Sequence, residues 1–308
     1  MSLSRYQRIR RRIESVPILR DALYPILDAT AAVLFHVRKG HDYKQQWRFR
    51  TRDVIECPDN AYIPRVPDAG RITGGFQRMH NGVKVLTDGY YGYPQTRLLK
   101  LNRGVHEPQE ERVFGEVLKY MSPGAVMVEL GAYWAFYSMW FHQVVKNAKC
   151  YLVEPDANRM NTGMANFKAN GFTGEFTRAL VGRSSGTDPS GESVISVDAL
   201  VAEKAIERIG ILHADIQGAE LDMLEGARES IASERVDYVF ISTHSNQLHR
   251  ACTSWLESSG FEIIASANQD ETYSYDGLIV GRRSNLSGLR HVPIALKPNR
   301  PASPRPLC

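Results

Sequence analysis

Cysteine is scarce in this chain of 308 residues, and its cysteines are far apart. The four are Cys57, Cys150, Cys252 and Cys308. Their spacing fits no metal site, and a dispersed set of this kind predicts free thiols in a reducing compartment. The cytoplasm is therefore the expected location.

The sequence also lacks an uninterrupted apolar segment near its N-terminus. Residues 1–12 are basic and no unbroken apolar run follows, so no cleavable signal peptide is visible. Residues 16–37 have the length of a membrane span but are interrupted by Arg20, Asp21, Asp28, Pro17 and Pro25. A central charge costs roughly 2.5–3.5 kcal/mol in a bilayer, which disfavours a transmembrane helix. We expect amphipathic helices that pack on the core or on another subunit of a homo-oligomer, with peripheral membrane contact through residues 1–40 as the alternative.

Acidic residues are absent from the C-terminal end. Residues 282–308 hold six Arg or Lys, and residues 1–50 carry a net charge of +7, whereas the whole chain is only +4. The middle is therefore acidic, with a net charge of −9. A nucleic-acid substrate would need a basic groove around the active site, so the sequence predicts no nucleic-acid partner. The tail at 284–308 is rich in proline without apolar periodicity, which predicts extended or disordered chain.

Glycine is sparse where a dinucleotide-binding turn would need it. Residues 125–156 predict a strand, a glycine turn, a helix and a second strand, as in a βαβ unit. The turn has one glycine, Gly131, and bulky Tyr133 and Trp134 follow where a pyrophosphate would lie. This disfavours NAD or FAD. S-adenosylmethionine contains an adenosine but no phosphate, so its binding tolerates bulky side chains in this turn.

Acids flank this turn at positions that suit S-adenosylmethionine. Glu154 ends the second strand, where a carboxylate can accept hydrogen bonds from both ribose hydroxyls. Glu129 precedes Gly131 by two residues and suits the ammonium group or a water bound to it. The end of the third strand is expected beside the adenine. The predicted cofactor-binding residues are Glu129, Gly131, Tyr133, Glu154, Asp156 and Ala179. A Rossmann-like unit without a ligand is the alternative.

Polar residues end the next two predicted strands. Asp215 follows IGILHA and His244 follows DYVFIST, at the edge where open parallel sheets place their chemistry. Methylation of a hydroxyl needs a proton acceptor, and a histidine of near-neutral pKa beside a carboxylate is suited to it. We predict His244 as the base and Asp215 as its partner, with His249 as the rival. Gln217 and Glu220 are predicted substrate contacts, with helix capping the alternative for Glu220, and a divalent metal such as Mg²⁺ is another use for these carboxylates.

Residues 51–104 are rich in Gly, Pro, Tyr and Asn and predict a cap with a hairpin at the Asn-Gly pair 81–82. His80 and Tyr91 are candidates for a sugar site, because carbohydrate recognition favours aromatic faces with polar tips. His106 and Glu107 lie just before a helix that begins near Pro108 and are further candidate substrate contacts. Simple packing of the cap and helix capping are the alternatives.

Three blocks resemble the FkbM-type S-adenosylmethionine-dependent methyltransferases. They are VELGAYWAFYS at 128–138, YLVEPD at 151–156 and HADIQGAELDMLEGA at 213–227, within a similarity that covers roughly residues 105–283. Glu129 stands where Asp is commoner in the family, and Ala135 replaces a usual glycine. The resemblance implies a class I methyltransferase fold, with a Rossmann-like, mostly parallel seven-stranded α/β sheet.

The resemblance also implies O-methylation of a sugar, polysaccharide precursor or secondary metabolite, with a small-molecule or carbohydrate acceptor as partner. The expected organisation is a basic helical segment at 1–50, a cap at 51–104, the methyltransferase domain at 105–283 and the tail at 284–308. Two alternatives stay open: a nicotinamide-dependent oxidoreductase, and a non-catalytic, membrane-associated protein that retains the fold.

Overall fold

The computed structural model describes residues 41–298. The predicted N-terminal helices and membrane contact of residues 1–40 lie outside this range. The described chain forms two compact units, one of residues 41–56 and 64–106, the other of residues 57–63 and 107–298. Between positions 41 and 298, no helix is long and apolar enough to cross a membrane.

The first unit combines two helices with a small antiparallel sheet. Its elements are α1 (His41–Glu56), β1 (Ile72–Thr73), β2 (Phe76–Arg78), β3 (Lys84–Leu86) and α2 (Tyr93–Leu101). The order in its sheet is β1-β2-β3. Strands β2 and β3 pair through Arg78 and Lys84, with the Asn-Gly pair in the connection, so the predicted hairpin is confirmed.

The second unit is a helix-flanked sheet that alternates strands and helices along the chain. After a 3₁₀ turn (Pro58–Tyr62), its elements are α3 (Pro108–Leu118), β4 (Val126–Leu130), α4 (Phe136–Val144), β5 (Lys149–Val153), α5 (Ala157–Asn170), β6 (Glu175–Thr177), β7 (Leu180–Val181), β8 (Gly186–Thr187), β9 (Ser193–Ile195), α6 (Val197–Glu203), β10 (Ile209–Ala214), α7 (Glu220–Glu225), α8 (Arg228–Ala232), β11 (Val236–Thr243), α9 (Asn246–Ser258), β12 (Phe261–Ala267) and β13 (Gly277–Arg283).

The main sheet of this unit has seven strands in the order β12-β13-β11-β10-β4-β5-β6. Neighbours from β11 to β6 pair in parallel, and β13 runs antiparallel to both β11 and β12. The predicted class I methyltransferase sheet is thus confirmed. Strand order reverses between β4 and β10, and such a switch point opens a crevice at the carboxyl ends of the strands.

The two faces of this sheet differ because successive side chains of a strand point to opposite sides. One face is aliphatic, with Val128, Leu212 and Val239 in one continuous buried cluster. The other face carries an aromatic layer, in which the Phe114 ring centroid lies 5.4 Å from that of Phe240. Glu129 points to this second face. Its neighbour in the sheet, His213, is on the same side.

The chain after β13 packs back onto the second unit. Val292 is 3% exposed, and its N–H donates to the Ile264 carbonyl at 2.9 Å. The N–H of Lys297 donates to the Glu271 carbonyl at 2.7 Å. Backbone hydrogen bonds and a buried side chain thus hold the chain at Val292 and Lys297, after a turn at residues 284–285 and a bend at Gly288. Disorder of the tail stays a prediction.

Candidate functional site

The turn between β4 and α4 depends on Gly131. Its φ is +74°, and a Cβ there would lie 1.9 Å from the carbonyl oxygen of Asp215. Tyr133 and Ala135 also have positive φ, at 39° and 61°, a conformation that L-residues other than glycine rarely adopt. The turn is therefore compressed against the end of β10, and this brings the predicted cofactor site next to the predicted catalytic residues.

Glu154 fastens this turn to β5. Its Oε2 accepts the N–H of Tyr133 at 3.1 Å, and its Oε1 accepts the N–H of Asp156 at 3.0 Å. Burial raises the pKa of Glu154, against the lowering effect of these two hydrogen bonds. Each carboxylate oxygen retains a second lone pair, so Glu154 keeps the capacity to accept the hydroxyls of a ribose.

Two other predicted cofactor-binding residues, Asp156 and Ala179, make structural contacts within the unit. The Asp156 carboxylate caps α5 by accepting the N–H groups of Asn158 and Arg159, at 2.8 and 2.9 Å. Ala179 is buried in the apolar cluster between β6 and β7. Their contact with cofactor stays a prediction.

Glu129 is buried beneath α4. It is 4% exposed, and its Oε2 accepts the Ser138 N–H at 2.9 Å, where the carboxylate stabilises an otherwise unsatisfied donor of the first helical turn. Burial raises the pKa of Glu129. The Ser138 N–H thus already occupies one position of the carboxylate that was predicted to bind the ammonium group.

Sequence reasoning missed a buried pair on the same face of the sheet. His213 Nε2 lies 2.7 Å from Glu110 Oε1, and both side chains are almost fully buried. Burial lowers the pKa of His213, but the hydrogen bond and charge of Glu110 outweigh it and raise the pKa. The sequence signal was a histidine inside an apolar strand, but its partner Glu110 lies 103 positions away and no local pattern joins the two.

Glu107 contacts a residue close to this pair. The Tyr137 hydroxyl donates to Glu107 Oε2 at 3.3 Å. The Tyr137 ring centroid lies 4.5 Å from that of His213. Glu107 is half-buried, and its predicted contact with substrate stays a prediction.

The structure brings Asp215 and His244 together at the carboxyl edge of the sheet, as expected. His244 Nε2 lies 3.3 Å from Asp215 Oδ1 and 3.5 Å from Asp276 Oδ1. We call Asp215, His244 and Asp276 the edge cluster. Its candidate ligand atoms all lie within 4.8 Å of one another, a spacing that a metal ion could bridge.

Glu220 contacts the other nitrogen of the His244 imidazole. It is fully buried, and its Oε1 lies 2.8 Å from His244 Nδ1 and accepts the Gly218 N–H at 3.1 Å. Glu220 has no exposed surface and contacts His244. Its predicted contact with substrate stays a prediction. Gln217 is exposed and places its Nε2 2.9 Å from His244 Nε2 and 3.2 Å from Asp215 Oδ1.

The surroundings of His244 differ from the expected near-neutral base. Burial lowers its pKa, but the neighbouring carboxylates of Asp215, Glu220 and Asp276 outweigh burial and raise the pKa to about 11. The expected single carboxylate partner is replaced by three.

Asp276 was not predicted as a site residue. It immediately precedes β13, whose Gly277 pairs with Thr243 at the end of β11. Asp276 is thereby placed opposite His244. The sequence signal was an acid directly before the last strand, but its use required knowing that β13 lies beside β11.

The rival histidine, His249, lies outside the edge cluster. Its Nδ1 is 2.9 Å from Thr243 Oγ1 and its Nε2 is 2.9 Å from Ser266 Oγ. It is 6% exposed, and burial lowers its pKa. His249 therefore bridges two hydroxyls in the packed interior.

The cap residues belong to the first unit and are described within it. His80 is buried, with its Nδ1 3.1 Å from the Pro64 carbonyl. His106 is also buried, with its ring edge-on to Tyr90 at 6.2 Å. Tyr91 is 40% exposed. Of these three candidates, Tyr91 presents the surface that a sugar contact needs, and all three assignments stay predictions.

Comparison with known families identifies the central part of this second unit. Residues 152–263 match the model described as "Methyltransferase FkbM domain". The matched segment runs from the end of β5 through α9 to the beginning of β12 and includes Glu154, Asp215 and His244. The resemblance seen in the sequence is therefore confirmed over this segment. No curated protein matches the chain.

Solved structures with similar folds include several methyltransferases. One is M. capricolum TrmK in complex with S-adenosyl-homocysteine, with 14% identity, a TM-score of 0.39 and coverage of 56% of this chain and 67% of that chain. Another is precorrin-6y C5,15-methyltransferase from Geobacter metallireducens, with 12% identity, a TM-score of 0.40 and coverage of 56% and 89%. A third is ribosomal protein L11 methylase from Lactobacillus delbrueckii subsp. bulgaricus, with 14% identity, a TM-score of 0.39 and coverage of 59% and 81%.

Proposed function

We propose that this protein, which carries an FkbM methyltransferase domain at residues 152–263, transfers a methyl group from S-adenosylmethionine to a hydroxyl group. One observation carries the proposal: the glycine turn that would hold the donor abuts the residue that would meet the acceptor. The Asp215 N–H donates to the Leu130 carbonyl at 3.0 Å, and Gly131 is packed against the Asp215 carbonyl. Donor and acceptor sites are thus neighbours across the switch point between β4 and β10.

The donor assignment rests on the turn and on Glu154. The turn has a single glycine, followed by Tyr133 and the buried Trp134 where a dinucleotide-binding turn has further glycines, whereas the adenosine of S-adenosylmethionine brings no phosphate. Glu154 retains acceptor capacity for ribose hydroxyls at the end of β5. These features favour S-adenosylmethionine over a nicotinamide dinucleotide.

Methyl transfer is an in-line displacement. The acceptor oxygen attacks the methyl carbon, the carbon–sulfur bond breaks, and its electron pair remains on sulfur, so S-adenosylhomocysteine leaves as a neutral thioether. The hydroxyl proton passes to the edge cluster. Asp215 is the group that first meets the hydroxyl, because its side chain is 28% exposed against 15% for His244 and 16% for Asp276. Alignment of the three reacting atoms and this proton transfer lower the barrier.

The acceptor class follows from the end of β10. Enzymes that methylate an exocyclic base amine resemble one another in an Asp- or Asn-Pro-Pro-aromatic turn there, and this chain has Asp215-Ile216-Gln217-Gly218. The acidic middle of the chain also gives no basic groove for a nucleic acid. We therefore propose a hydroxyl of a sugar, polysaccharide precursor or secondary metabolite, the class that the FkbM resemblance implies.

The first test is cofactor binding by calorimetry with S-adenosylmethionine, S-adenosylhomocysteine and NADH. We expect the first two to bind wild type and Glu154→Ala to lose that binding. Glu192→Ala, which removes an exposed acid of the same unit, is the matched control and should bind normally. Circular dichroism establishes that each variant is folded. NADH binding instead would favour the oxidoreductase, and a folded wild type that binds none of the three would favour the non-catalytic alternative.

The second test is methyl transfer to a panel of hydroxylated acceptors with radiolabelled donor. Asp215→Asn should lower the rate by about 10²–10⁴-fold while donor binding persists, because it removes the group that meets the proton. Asp222→Asn changes an exposed acid on α7 that pairs with Arg183 and should leave the rate unchanged. An Asp215→Asn enzyme with the wild-type rate contradicts the assigned role.

A further inference from the structure

We propose that the edge cluster is a divalent-cation site, with Asp215 Oδ1, His244 Nε2 and Asp276 Oδ1 as its ligands. The site coincides with the proposed acceptor end, so the purpose of the ion rests on the proposed function. Binding of the ion does not, because it can be measured without donor or acceptor.

The separations of the two carboxylate oxygens from His244 Nε2 suit coordination better than hydrogen bonding. His244 Nε2 lies 3.3 Å from Asp215 Oδ1 and 3.5 Å from Asp276 Oδ1, longer than the roughly 2.7–3.2 Å of a good N–H···O hydrogen bond. Ligands about 2.0–2.2 Å from a divalent cation are separated by roughly 2.8–3.6 Å at tetrahedral or octahedral angles. Both measured separations fall in that interval.

A second observation concerns the other nitrogen of the imidazole. Nδ1 lies 2.8 Å from Glu220 Oε1, and Glu220 has no exposed surface. Histidines that bind metals characteristically donate this N–H to a carboxylate, which fixes the ring and turns the Nε2 lone pair toward the ion. The second oxygen of Glu220, Oε2, is buried and has no hydrogen-bond partner among residues 41–298. A fully buried carboxylate is therefore committed to orienting His244.

The charges of the site also call for a cation. Three carboxylates, those of Asp215, Glu220 and Asp276, converge on one imidazole. Their charges exceed that of the histidine whichever protonation state it adopts. Carboxylates gathered in a partly desolvated site repel one another unless a counter-charge lies between them, and a divalent ion at the shared position supplies it.

The ligands are held by three adjacent strands. Asp215 follows β10, His244 follows β11 and Asp276 precedes β13, and these strands are hydrogen-bonded side by side in the sheet. Ligands fixed by a sheet lose little conformational freedom when an ion binds. The site is therefore preorganised to a degree that exposed acids on a loop are not.

Two oxygens and one imidazole nitrogen suit Mg²⁺, Mn²⁺ or Zn²⁺. Gln217 is exposed, and rotation of its side chain would clear the position its amide now takes beside His244 and Asp215. The remaining coordination positions would be open to water or to acceptor hydroxyls. An acceptor with two neighbouring hydroxyls, as in a sugar, could occupy two of them.

The test titrates Mn²⁺, Mg²⁺ and Zn²⁺ separately into the metal-free full-length protein, with no donor or acceptor, by calorimetry and, for Mn²⁺, by electron paramagnetic resonance. We expect one bound ion per chain. Asp276→Asn should weaken its affinity at least tenfold, and Glu220→Gln by about 10–100-fold. Asp222→Asn, with its acid outside the cluster, should bind as wild type does.

Circular dichroism and thermal unfolding establish that the variants are folded. Absence of a stoichiometric ion in folded wild type, or equal affinity in wild type and folded Asp276→Asn, would overturn the proposal. Loss of the cation site with donor binding intact leaves the proposed function standing. Cation binding without any donor binding would support the cation site and contradict the proposed function.

Discussion

The second unit contains two histidine–carboxylate groups whose positions in the sheet give them opposite characters. His213 and Glu110 are paired in the aromatic layer, with side chains 5% and 6% exposed. His244 lies at the carboxyl edge beside Asp215, whose side chain is 28% exposed. In the core pair, His213 Nε2 lies 2.7 Å from Glu110 Oε1 and both groups are shielded from solvent. In the edge cluster, the groups remain partly accessible to a ligand.

The difference shows that residue type alone does not distinguish a histidine–carboxylate pair that stabilises the fold from one that can bind a ligand. His213 is two residues before Asp215 and side by side with Glu129 in the sheet. One strand thus supplies a residue to each group. A substitution in the core pair should act on folding, and one in the edge cluster should act on binding and turnover.

The largest effect is expected from Glu110→Ala. It leaves His213 buried without its carboxylate, and removal of one partner from a buried ion pair costs about 3–5 kcal/mol. Urea unfolding should show this loss of stability. Glu116→Ala is the control on the same helix, because its ion pair with Lys119 is at the surface and contributes at most about 1 kcal/mol. Equal losses in the two variants contradict the distinction between core pair and surface pair.

Gly131→Ala tests the link between the turn and the edge cluster. Its methyl group would collide with the Asp215 carbonyl and would sit at positive φ, so we expect a loss of about 2–4 kcal/mol together with weaker donor binding. Gly171→Ala has a similar φ of +70° but no atom within 4 Å of the new Cβ. It should lose only about 1–2 kcal/mol and keep donor affinity. Chemical denaturation and calorimetry measure both quantities.

His249→Phe tests whether the interior histidine takes part in the chemistry proposed for the edge cluster. The change leaves the Thr243 and Ser266 hydroxyls without their partner, which costs about 1–3 kcal/mol. The methyl-transfer rate of the folded variant should equal that of wild type. A rate lowered a hundredfold or more with stability retained would contradict the assignment of the chemistry to the edge cluster.

The smallest effect is expected from Glu129→Gln, seen as a pH dependence. Burial raises the folded-state pKa of Glu129, so the contribution of this group is fully present below its unfolded pKa of about 4.5 and is lost as pH rises through the folded value. The glutamine does not titrate and can still accept the Ser138 N–H. Relative to wild type, the variant should therefore become more stable in urea unfolding as pH rises above about 4.5. A difference that does not change with pH contradicts the assignment.

Much of the fold could be predicted from local pattern. The apolar runs that became β4, β5, β10 and β11 were recognisable because strands buried on both faces are nearly continuous in hydrophobic residues. The edge residues Asp215 and His244 followed from strand ends, since parallel strands share one carboxyl edge. The FkbM resemblance added the sheet as a whole.

The rest depended on contacts between distant segments. Glu110 meets His213 across 103 positions, and Asp276 meets His244 only because β13 inserts between β11 and β12. The packed residues 284–298 are held by hydrogen bonds to Ile264 and Glu271 that their composition does not reveal. No local propensity encodes such pairings.

The sequence by itself therefore determined the alternation of strands and helices, the turn with one glycine and two aromatic residues, and the polar strand ends. Each of these depends on residues close together in the chain. Only the tertiary structure decided which histidine is sealed in the core, which is accessible at the edge and how many carboxylates surround it. Burial and charge proximity are properties of the assembled sheet, and they set the chemistry of each ionisable group.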